Sequence, residues 1–266
     1  MRLTDSDAEL TVTTMPALFV GHGNPMNAID DTEFSRAWLQ LGQTLPRPKA
    51  ILCVSAHWET DGTQVTAMPM PRTLHDFAGF PQPLFDLEYP APGSPDLAHW
   101  LQDTLKDIPI TLNHDWGLDH GAWSVLCRLF PHADIPVVQL SLDRTKTPAQ
   151  HYALGQALKP LRQQGVFILG SGNIVHNLRR LVWKDTAADW AVAFDAEIKR
   201  RILAGDHQAI IDYPQFGDLA RWSVPTSEHF LPLLYVLGVC APDDELVFFT
   251  EQVTLGAIAM RSLQFG

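Results

Sequence analysis

The sequence predicts an α/β fold: a single domain in which a central, mostly parallel or mixed sheet is flanked by helices. Short apolar runs alternate along the chain with longer segments of helical periodicity, which is the pattern of a sheet covered by helices. The chain has 266 residues, of which 46% are hydrophobic and 18% charged, so a large core is available. No break in composition divides it, and α/β domains often run past about 250 residues.

Seven apolar runs are the predicted strands. Several are continuous rather than alternating, which indicates strands buried on both faces of the sheet. Ligands of open α/β sheets bind at the carboxyl ends of the strands, so the residues directly after these runs are the first candidates for a site. The runs are residues 17–20, 50–54, 64–68, 110–112, 135–142, 166–169 and 246–250.

The helices are predicted from their ends and from their periodicity. Ser94 and Thr147 each place a capping hydroxyl directly before a proline that suits the first helical turn. Pro232 fits a helix only in its first turn, where the missing N–H is not needed. The predicted helices are residues 31–45, 96–105, 122–130, 149–163, 174–183, 187–203 and 229–238.

Two segments stand outside this alternation. Residues 1–14 are polar and acidic, which predicts a flexible N-terminal extension, not a signal peptide, ahead of a catalytic domain over residues 15–266. Residues 69–95 hold seven prolines and four aromatic residues without a clean period. A long ordered loop of this kind is typical of a lid or a binding wall.

Charge and composition bound the partners. The formal net charge is −11 and the basic residues are scattered, which argues against a nucleic-acid partner. The longest apolar run, residues 230–241, is too short to span a bilayer. Three distant cysteines, Cys53, Cys127 and Cys240, are typical of reduced thiols in a cytoplasmic protein. The sequence gives no basis for predicting the oligomeric state.

Histidine is the unusual residue, with 11 histidines against 6 lysines. The chain contains no GxSxG, GxGxxG or HExxH motif. His229 stands at the start of the last predicted helix, where the helix dipole favours a neutral ring, as a metal ligand must be. Histidines gathered from several strand ends are typical of a mononuclear Zn(II) or Fe(II) site. Those that follow predicted strands are His22, His57, His114, His120 and His176.

Five motifs carry a resemblance to a known family. They occur in family order: GHGNP at 21–25, SAHWE at 55–59, GLDHGAWSVL at 117–126, GSGNIVHNL at 170–178 and SEHFLPLLYVLG at 227–238. Together they resemble the 4,5-DOPA extradiol dioxygenase family of the class III extradiol ring-cleavage dioxygenases. The catalytic subunit of protocatechuate 4,5-dioxygenase is a relative of that family. The resemblance covers the chain from Met15 on and implies a single α/β catalytic domain.

The resemblance also implies a site. One mononuclear divalent metal is held by His22, His57 and His229, with His176 beside it either as acid/base or as a further ligand. His120 lies in the substrate pocket as a proton donor. Fe(II) is the metal of dioxygenase activity, whereas three neutral ligands look more like zinc, so the metal stays open. The implied reaction inserts O2 into a catechol, a DOPA-like aromatic diol, and gives a muconic semialdehyde.

Further candidate substrate contacts are His75, His114 and Trp116. His75 and His114 are equally well placed as loop residues without such a contact, and tryptophan is also ordinary core material. A second function class uses the same histidines in a zinc-dependent hydrolase or a redox-silent zinc protein. That class predicts zinc retention without O2 consumption.

Overall fold

The computed structural model describes residues 14–184 and 186–266, so nearly all of the predicted N-terminal extension lies outside the described residues. All seven predicted runs form strands, and three more strands follow near the C-terminus. The strands are β1 (Ala17–Gly21), β2 (Ala50–Thr60), β3 (Thr63–Thr66), β4 (Ile110–Asn113), β5 (Val137–Asp143), β6 (Val166–Gly172), β7 (Leu246–Phe249), β8 (Val253–Thr254), β9 (Ile258–Ala259) and β10 (Ser262–Phe265).

Eight of these strands form one mixed sheet, in the order β4-β3-β5-β2-β6-β1-β10-β7, and β8 pairs separately with β9. The central strands β5, β2, β6 and β1 are parallel. On either side of them, β3 runs antiparallel to β5 and β10 runs antiparallel to β1. The predicted α/β class, with a mixed and mostly parallel sheet flanked by helices, is confirmed.

The predicted caps are also confirmed: the hydroxyl of Ser94 accepts the N–H of Leu97, and that of Thr147 accepts the N–H of Gln150. The predicted helix over 149–163 is interrupted at Pro160, which has no N–H to continue the helical ladder. The helices are α1 (Glu33–Thr44), α2 (Gln82–Phe85), α3 (Pro95–Thr104), α4 (His120–Leu129), α5 (Pro148–Leu158), α6 (Pro160–Gln163), α7 (Asp189–Leu203), α8 (His207–Ile211), α9 (Asp218–Ser223) and α10 (Leu231–Val239).

The predicted helix over 174–183 was wrong. Only a 3-10 turn, Leu178–Arg180, forms there. The carbonyl of Val175 accepts the N–H of Ala259, and the N–H of Val182 donates to another distant carbonyl. Because a helix would need both of these groups for its own hydrogen bonds, tertiary contacts override the local helical pattern. The segment is a loop, and it reaches the site described below.

Each central strand sends alternate side chains to two apolar layers. Leu18 packs in the layer formed with α1 and α4, whereas its neighbour Phe19 packs in the layer formed with α5, α7 and α10. Every residue of α10 is buried. Burial on both faces explains why the strands are continuous apolar runs. Within the described part of the chain, no helix combines the length and the apolarity needed to cross a bilayer.

Candidate active site

Five histidines meet at the carboxyl edge of the parallel strands, and we call them the histidine floor. His22 follows β1, His57 lies where β2 departs from regular register, His120 begins α4, His176 follows β6, and His229 precedes α10. All five line one cavity of about 540 Å³. The predicted convergence at the carboxyl ends of the strands is therefore observed.

The rings of the floor are close enough for several nitrogens to meet at one point. The ring centroids of His22 and His57 are 5.0 Å apart, and those of His22 and His229 are 5.2 Å apart. His176 stacks face to face on His229, with centroids 3.5 Å apart. The Nε2 atoms of His22 and His57 lie 3.2 Å apart. Two nitrogens that bind one metal at about 2.1 Å are separated by about 3.0–3.4 Å, so this pair fits a bound metal.

Hydrogen bonds at Nδ1 determine which ring nitrogen of His22 and of His229 is free to bind a metal. The Ser171 hydroxyl donates to the carbonyl of Gly121, so it accepts from His22 Nδ1 at 2.9 Å. His229 Nδ1 donates to the Glu228 carboxylate at 3.0 Å. His229 Nε2 is buried and has no hydrogen-bond partner among the described residues. Both rings therefore present a bare Nε2, and partners at Nδ1 are the arrangement that orients metal-binding histidines.

Burial holds four of the floor histidines, His22, His57, His176 and His229, in the neutral form. Burial lowers the pKa of His22 and of His229 well below the ordinary value, and positive charge on neighbouring rings lowers it further. Burial also lowers the pKa of His57 to about 3, with the charge of His120 adding to the effect. The pKa of His176 is lowered to about 4, again chiefly by burial. Neutral imidazoles are what a metal requires, so the donor set fits a divalent cation.

His120 is positioned by two aspartates. Asp119 caps α4 by accepting the N–H of Ala122 at 3.1 Å, so the helix begins at His120, two residues earlier than predicted. Asp76 accepts the backbone N–H of His120 at 2.9 Å. His120 Nδ1 lies 3.0 Å from the same carboxylate oxygen, but out of line for a hydrogen bond. Burial raises the pKa of Asp76, yet the backbone N–H of His120 and the charge of its nearby ring outweigh this and leave the pKa lowered.

His120 also lies close enough to His22 and His57 to share a metal ion with them. One ring nitrogen each from His22, His57 and His120 lie within 4.8 Å of one another. The same holds for one donor atom each from His176, Glu228 and His229. The five histidines of these two groups line the same cavity, so the floor offers more donors than a single ion needs.

Close packing at the floor requires glycine at two positions. A Cβ atom on Gly121 would lie 2.4 Å from the Ser55 hydroxyl, and one on Gly172 would lie 2.2 Å from the carbonyl of His229. Glycine at these positions lets α4 approach β2, and lets β6 approach the segment before α10. The distances between the floor histidines depend on these two contacts.

The walls above the floor are apolar and come from three loops. Phe77 and Phe80 come from the proline-rich segment, which fits the predicted binding wall. A second wall belongs to the loop found in place of the predicted helix over 174–183. A third lies around β9. The members of the second and third walls are Leu178, Leu181, Trp183, Leu255, Ile258 and Met260.

The other predicted substrate contacts do not line this cavity. His75 bonds through Nε2 to the carbonyl of Leu87 at 3.0 Å and packs behind Phe77. Trp116 stacks on Trp58. His114 is exposed, because β4 runs antiparallel to the central strands and its carboxyl end lies at the other edge of the sheet. A substrate contact by His75, His114 or Trp116 stays a prediction.

Sequence reasoning missed the residues that hold the histidines. Asp76, Ser171 and Glu228 each bond to a floor histidine, and none was predicted as a site residue. Glu228 directly precedes His229, and Ser171 lies within a recognised motif, so both carried a local signal. The contact between Asp76 and His120 joins two segments far apart in sequence, and no local pattern shows it.

The comparisons with known proteins agree with this geometry. Residues 14–258 match the family described as the catalytic LigB subunit of aromatic ring-opening dioxygenase. The chain belongs to this LigB family. The extradiol ring-cleavage dioxygenase class predicted from the five motifs is thereby confirmed. The LigB match favours it over the zinc hydrolase interpretation.

Individual relatives of this LigB chain cover nearly its whole length. A protein of Escherichia coli (strain K12) named 4,5-DOPA dioxygenase extradiol is 46% identical over 98% of both chains. A protein of the same name from Beta vulgaris is 37% identical over 93% of this chain and 95% of its own length. A crystal structure of an uncharacterized protein from Escherichia coli K12 has a TM-score of 0.83 and 43% identity. It covers 95% of this chain and 100% of its own.

Proposed function

We propose that this chain is a metal-dependent extradiol dioxygenase that inserts O2 into a catechol ring beside the diol and releases a muconic semialdehyde. The observation that carries the proposal is the approach of His22 Nε2 and His57 Nε2 to 3.2 Å beside the bare Nε2 of His229. The ring-opening dioxygenase family supports the reaction class. The names of the relatives support a DOPA-like catechol as substrate.

We assign His22, His57 and His229 as the residues that hold one mononuclear divalent metal. Glu228 is engaged with His229 Nδ1, so it acts as the partner of a ligand rather than as a ligand. Fe(II) is the ion for activity, and Zn(II) is an ion that three neutral histidines also suit. When bound, Fe(II) would pass electrons from the catechol to O2 and hold the two reactants together.

The remaining histidines handle protons. His176 is neutral because burial lowers its pKa to about 4, so its ring can accept the proton that a diol hydroxyl loses on binding. His120 is held by Asp76 and faces the same cavity, where it hydrogen-bonds the substrate and returns a proton to an oxygen of the opened ring. The apolar walls keep water from the reacting atoms.

Metal analysis combined with O2 uptake tests the proposal. Protein reconstituted anaerobically with Fe(II) is expected to bind one ion per chain and to consume one O2 per catechol with a yellow product. A matched sample loaded with Zn(II) is expected to consume none. A lack of O2 uptake and of yellow product with every catechol, DOPA included, would overturn the proposal. Ester or amide hydrolysis by the Zn(II) sample would then favour the hydrolase.

We also propose a cytoplasmic location. Cys53, Cys127 and Cys240 are all free thiols, as expected in a reducing compartment. Cell fractionation followed by immunodetection is expected to find the protein with cytoplasmic markers, and recovery from a secreted or periplasmic fraction would contradict it.

A further inference from the structure

The cavity above the histidine floor has room for more than a catechol ring. Its volume is about 540 Å³, whereas an apolar cavity of about 150 Å³ already holds a benzene ring. The proposed substrate, a DOPA-like catechol, carries a carboxylate and an ammonium on its tail. With the diol at the floor, that tail occupies the remaining space, and it needs polar partners there.

Four polar side chains other than histidine line the cavity in the described part of the chain: Asn24, Asn27, Thr32 and Thr254. Two of them are engaged with the protein. The Thr32 hydroxyl donates to Asn27 Oδ1 at 2.8 Å, and Asn27 Nδ2 donates to the carbonyl of His22 at 3.3 Å. Asn24 and Thr254 are left as the polar groups that a ligand can use.

The orientation of the Asn24 amide is fixed by the turn that follows it. Asn24 Oδ1 accepts the N–H of Met26 at 2.9 Å and thereby caps the 3-10 turn Pro25–Ala28. No hydrogen bond within the described chain engages Asn24 Nδ2, so its two N–H groups are free donors. The Thr254 hydroxyl also has no partner among the described residues, and a hydroxyl both donates and accepts.

Asn24 and Thr254 lie on neighbouring parts of one wall. Thr254 on β8 pairs directly with Ile258 on β9, so the two side chains share one face of the hairpin. A Cβ atom on Gly23, the residue before Asn24, would lie 3.8 Å from Ile258 Cγ2. Ile258 also forms a bridge with His176 of the floor. Both polar side chains therefore flank Ile258, close to the floor.

The hairpin that carries Thr254 is held in one conformation. The next residue, Leu255, has a φ of +51°, which is uncommon for a residue with a branched side chain. Its carbonyl accepts the N–H of Val182 at 2.9 Å, and the N–H of Gly256 donates to the carbonyl of Thr186 at 2.8 Å. Such a conformation persists where its surroundings fix it, and it is common at ligand sites. Thr254 is thus positioned before a ligand binds.

The charges of the lining residues determine which tail fits. None of the described residues that line the cavity is a lysine, arginine, aspartate or glutamate. A lone carboxylate or a lone ammonium would lose its water here without gaining a countercharge. In an α-amino acid group the two charges sit on one carbon and compensate each other. The neutral dipoles of an amide and a hydroxyl can then satisfy the remaining hydrogen bonds.

We propose, on the basis of the proposed function, that Asn24 and Thr254 hold the α-amino acid group of a DOPA-like catechol. Asn24 Nδ2 donates to the carboxylate, and the Thr254 hydroxyl accepts from the ammonium. Together the two residues determine a preference for a zwitterionic tail over a tail with a net charge.

Three catechols that differ in the charge of the tail test this preference. They are L-DOPA, dihydrocaffeate, which lacks the ammonium, and dopamine, which lacks the carboxylate. Dissociation constants come from titration calorimetry of the Fe(II) protein at pH 7 without O2, and kcat/KM comes from O2 uptake. L-DOPA is expected to bind at least about tenfold more tightly than either analogue. Equal or tighter binding of dihydrocaffeate or dopamine would overturn the proposal.

Two variants locate the preference. Asn24→Ser keeps a side chain that can cap the turn but removes Nδ2, and Thr254→Val removes only the hydroxyl. In each, the affinity for L-DOPA relative to that for 4-methylcatechol is expected to fall about tenfold, as for loss of a hydrogen bond to a charged group. An unchanged ratio in both variants would overturn the assignment.

Matched controls lie on β4, outside the cavity. Asn113 Oδ1 likewise accepts backbone N–H groups, and Thr111 is an exposed strand threonine. Asn113→Ser and Thr111→Val are expected to leave the ratio of the two affinities unchanged. An equal fall in these controls would show a general effect of the substitutions and would also overturn the assignment.

Failure of this proposal is distinguishable from failure of the proposed function. Absence of O2 uptake with every catechol rejects ring cleavage, while the dissociation constants measured without O2 still decide which tail the cavity binds. O2 uptake with equal constants for the three catechols leaves ring cleavage intact and rejects the role of Asn24 and Thr254.

Discussion

Helix α10 connects two regions that bury polar groups in opposite ways. At its amino end, His229 Nε2 and its neighbour His120 Nδ1 have no hydrogen-bond partner within the described chain. Beyond its carboxyl end, Arg162 is only 1% exposed, donates to three backbone carbonyls and pairs twice with the Asp244 carboxylate. One region leaves buried donors and acceptors open, whereas the other satisfies them with protein atoms.

The two regions differ in whether their buried polar atoms are paired. Buried polar groups are nearly always hydrogen-bonded, so each exception needs an explanation. Single exceptions also occur at His151 Nε2 and Trp38 Nε1, neither of which lines the cavity. What marks the floor is that its open nitrogens converge on one cavity. Burial of a titratable or charged group is not by itself a sign of function, since Arg162 is buried and fully paired.

The largest expected effect comes from removing a floor histidine. His229→Ala is expected to lose the metal, measured by plasma mass spectrometry. O2 uptake should fall by more than about 1,000-fold, beyond the 10–100-fold that loss of a ligand's hydrogen-bond partner costs. His207→Ala is the matched control, because that ring bonds to Tyr152 away from the floor. Retention of the metal in both variants would contradict the ligand assignment.

The opposite result is expected at the other end of α10. Arg162→Met should lower the free energy of unfolding by about 3–5 kcal/mol, because Asp244 is left without its cation. Metal content and catechol affinity should not change. Urea unfolding measures the first quantity and titration the others. The double variant with Asp244→Leu should recover part of the stability, and loss of metal in Arg162→Met would show that the two regions are coupled.

His151 lies outside the floor and has an unpaired Nε2, and the pH dependence of folding stability tests its effect. Its ring is fully buried, 2.9 Å from the Tyr235 hydroxyl, and burial lowers its pKa to about 4. The unfolded chain takes up this proton near pH 6.5, before the folded chain does. Stability is therefore full above about pH 6.5 and falls by about 3 kcal/mol as the pH drops to about 4.

His151→Gln is expected to flatten that dependence, because glutamine does not titrate and can still accept the Tyr235 hydroxyl. Urea midpoints of the metal-free protein between pH 7 and pH 4.5 measure it. His99→Gln, on α3, is the control for a general effect of losing one histidine. An unchanged slope in His151→Gln would show that other groups cause the acid sensitivity.

Apolar segments predicted the positions of the strands in the sequence, but not the direction of each strand in the sheet. All seven runs are strands, yet β4 is antiparallel to the central strands, so grouping His114 with the floor by its place after a strand failed. Strand β10 was missed because its few residues become a strand only by pairing with β1 at the other end of the chain. Direction and pairing depend on contacts that no local window contains.

The site, like the sheet, was predicted only in part. Motifs located the floor histidines, because these lie next to glycines and strand ends. The residues that orient the histidines were missed, because a hydrogen bond such as that between Asp76 and His120 joins distant segments. The wall with Leu178 and Trp183 was hidden within a predicted helix. That helix is absent because backbone groups that it would need, such as the Val175 carbonyl, bond elsewhere.

The smallest expected effect comes from removing a single hydrogen bond within the floor. Ser171→Ala leaves His22 Nδ1 without its acceptor, so the ring loses the partner that keeps Nε2 bare. Metal affinity, measured by competition with a chromophoric chelator, should fall about tenfold. Ser141→Ala is the matched control: it is an equally buried serine, bonded to Thr60 and Gln64 away from the floor. An equal loss in both variants would assign the effect to packing. Unchanged metal affinity in both variants would mean that the His22 tautomer set by Ser171 does not contribute to metal binding.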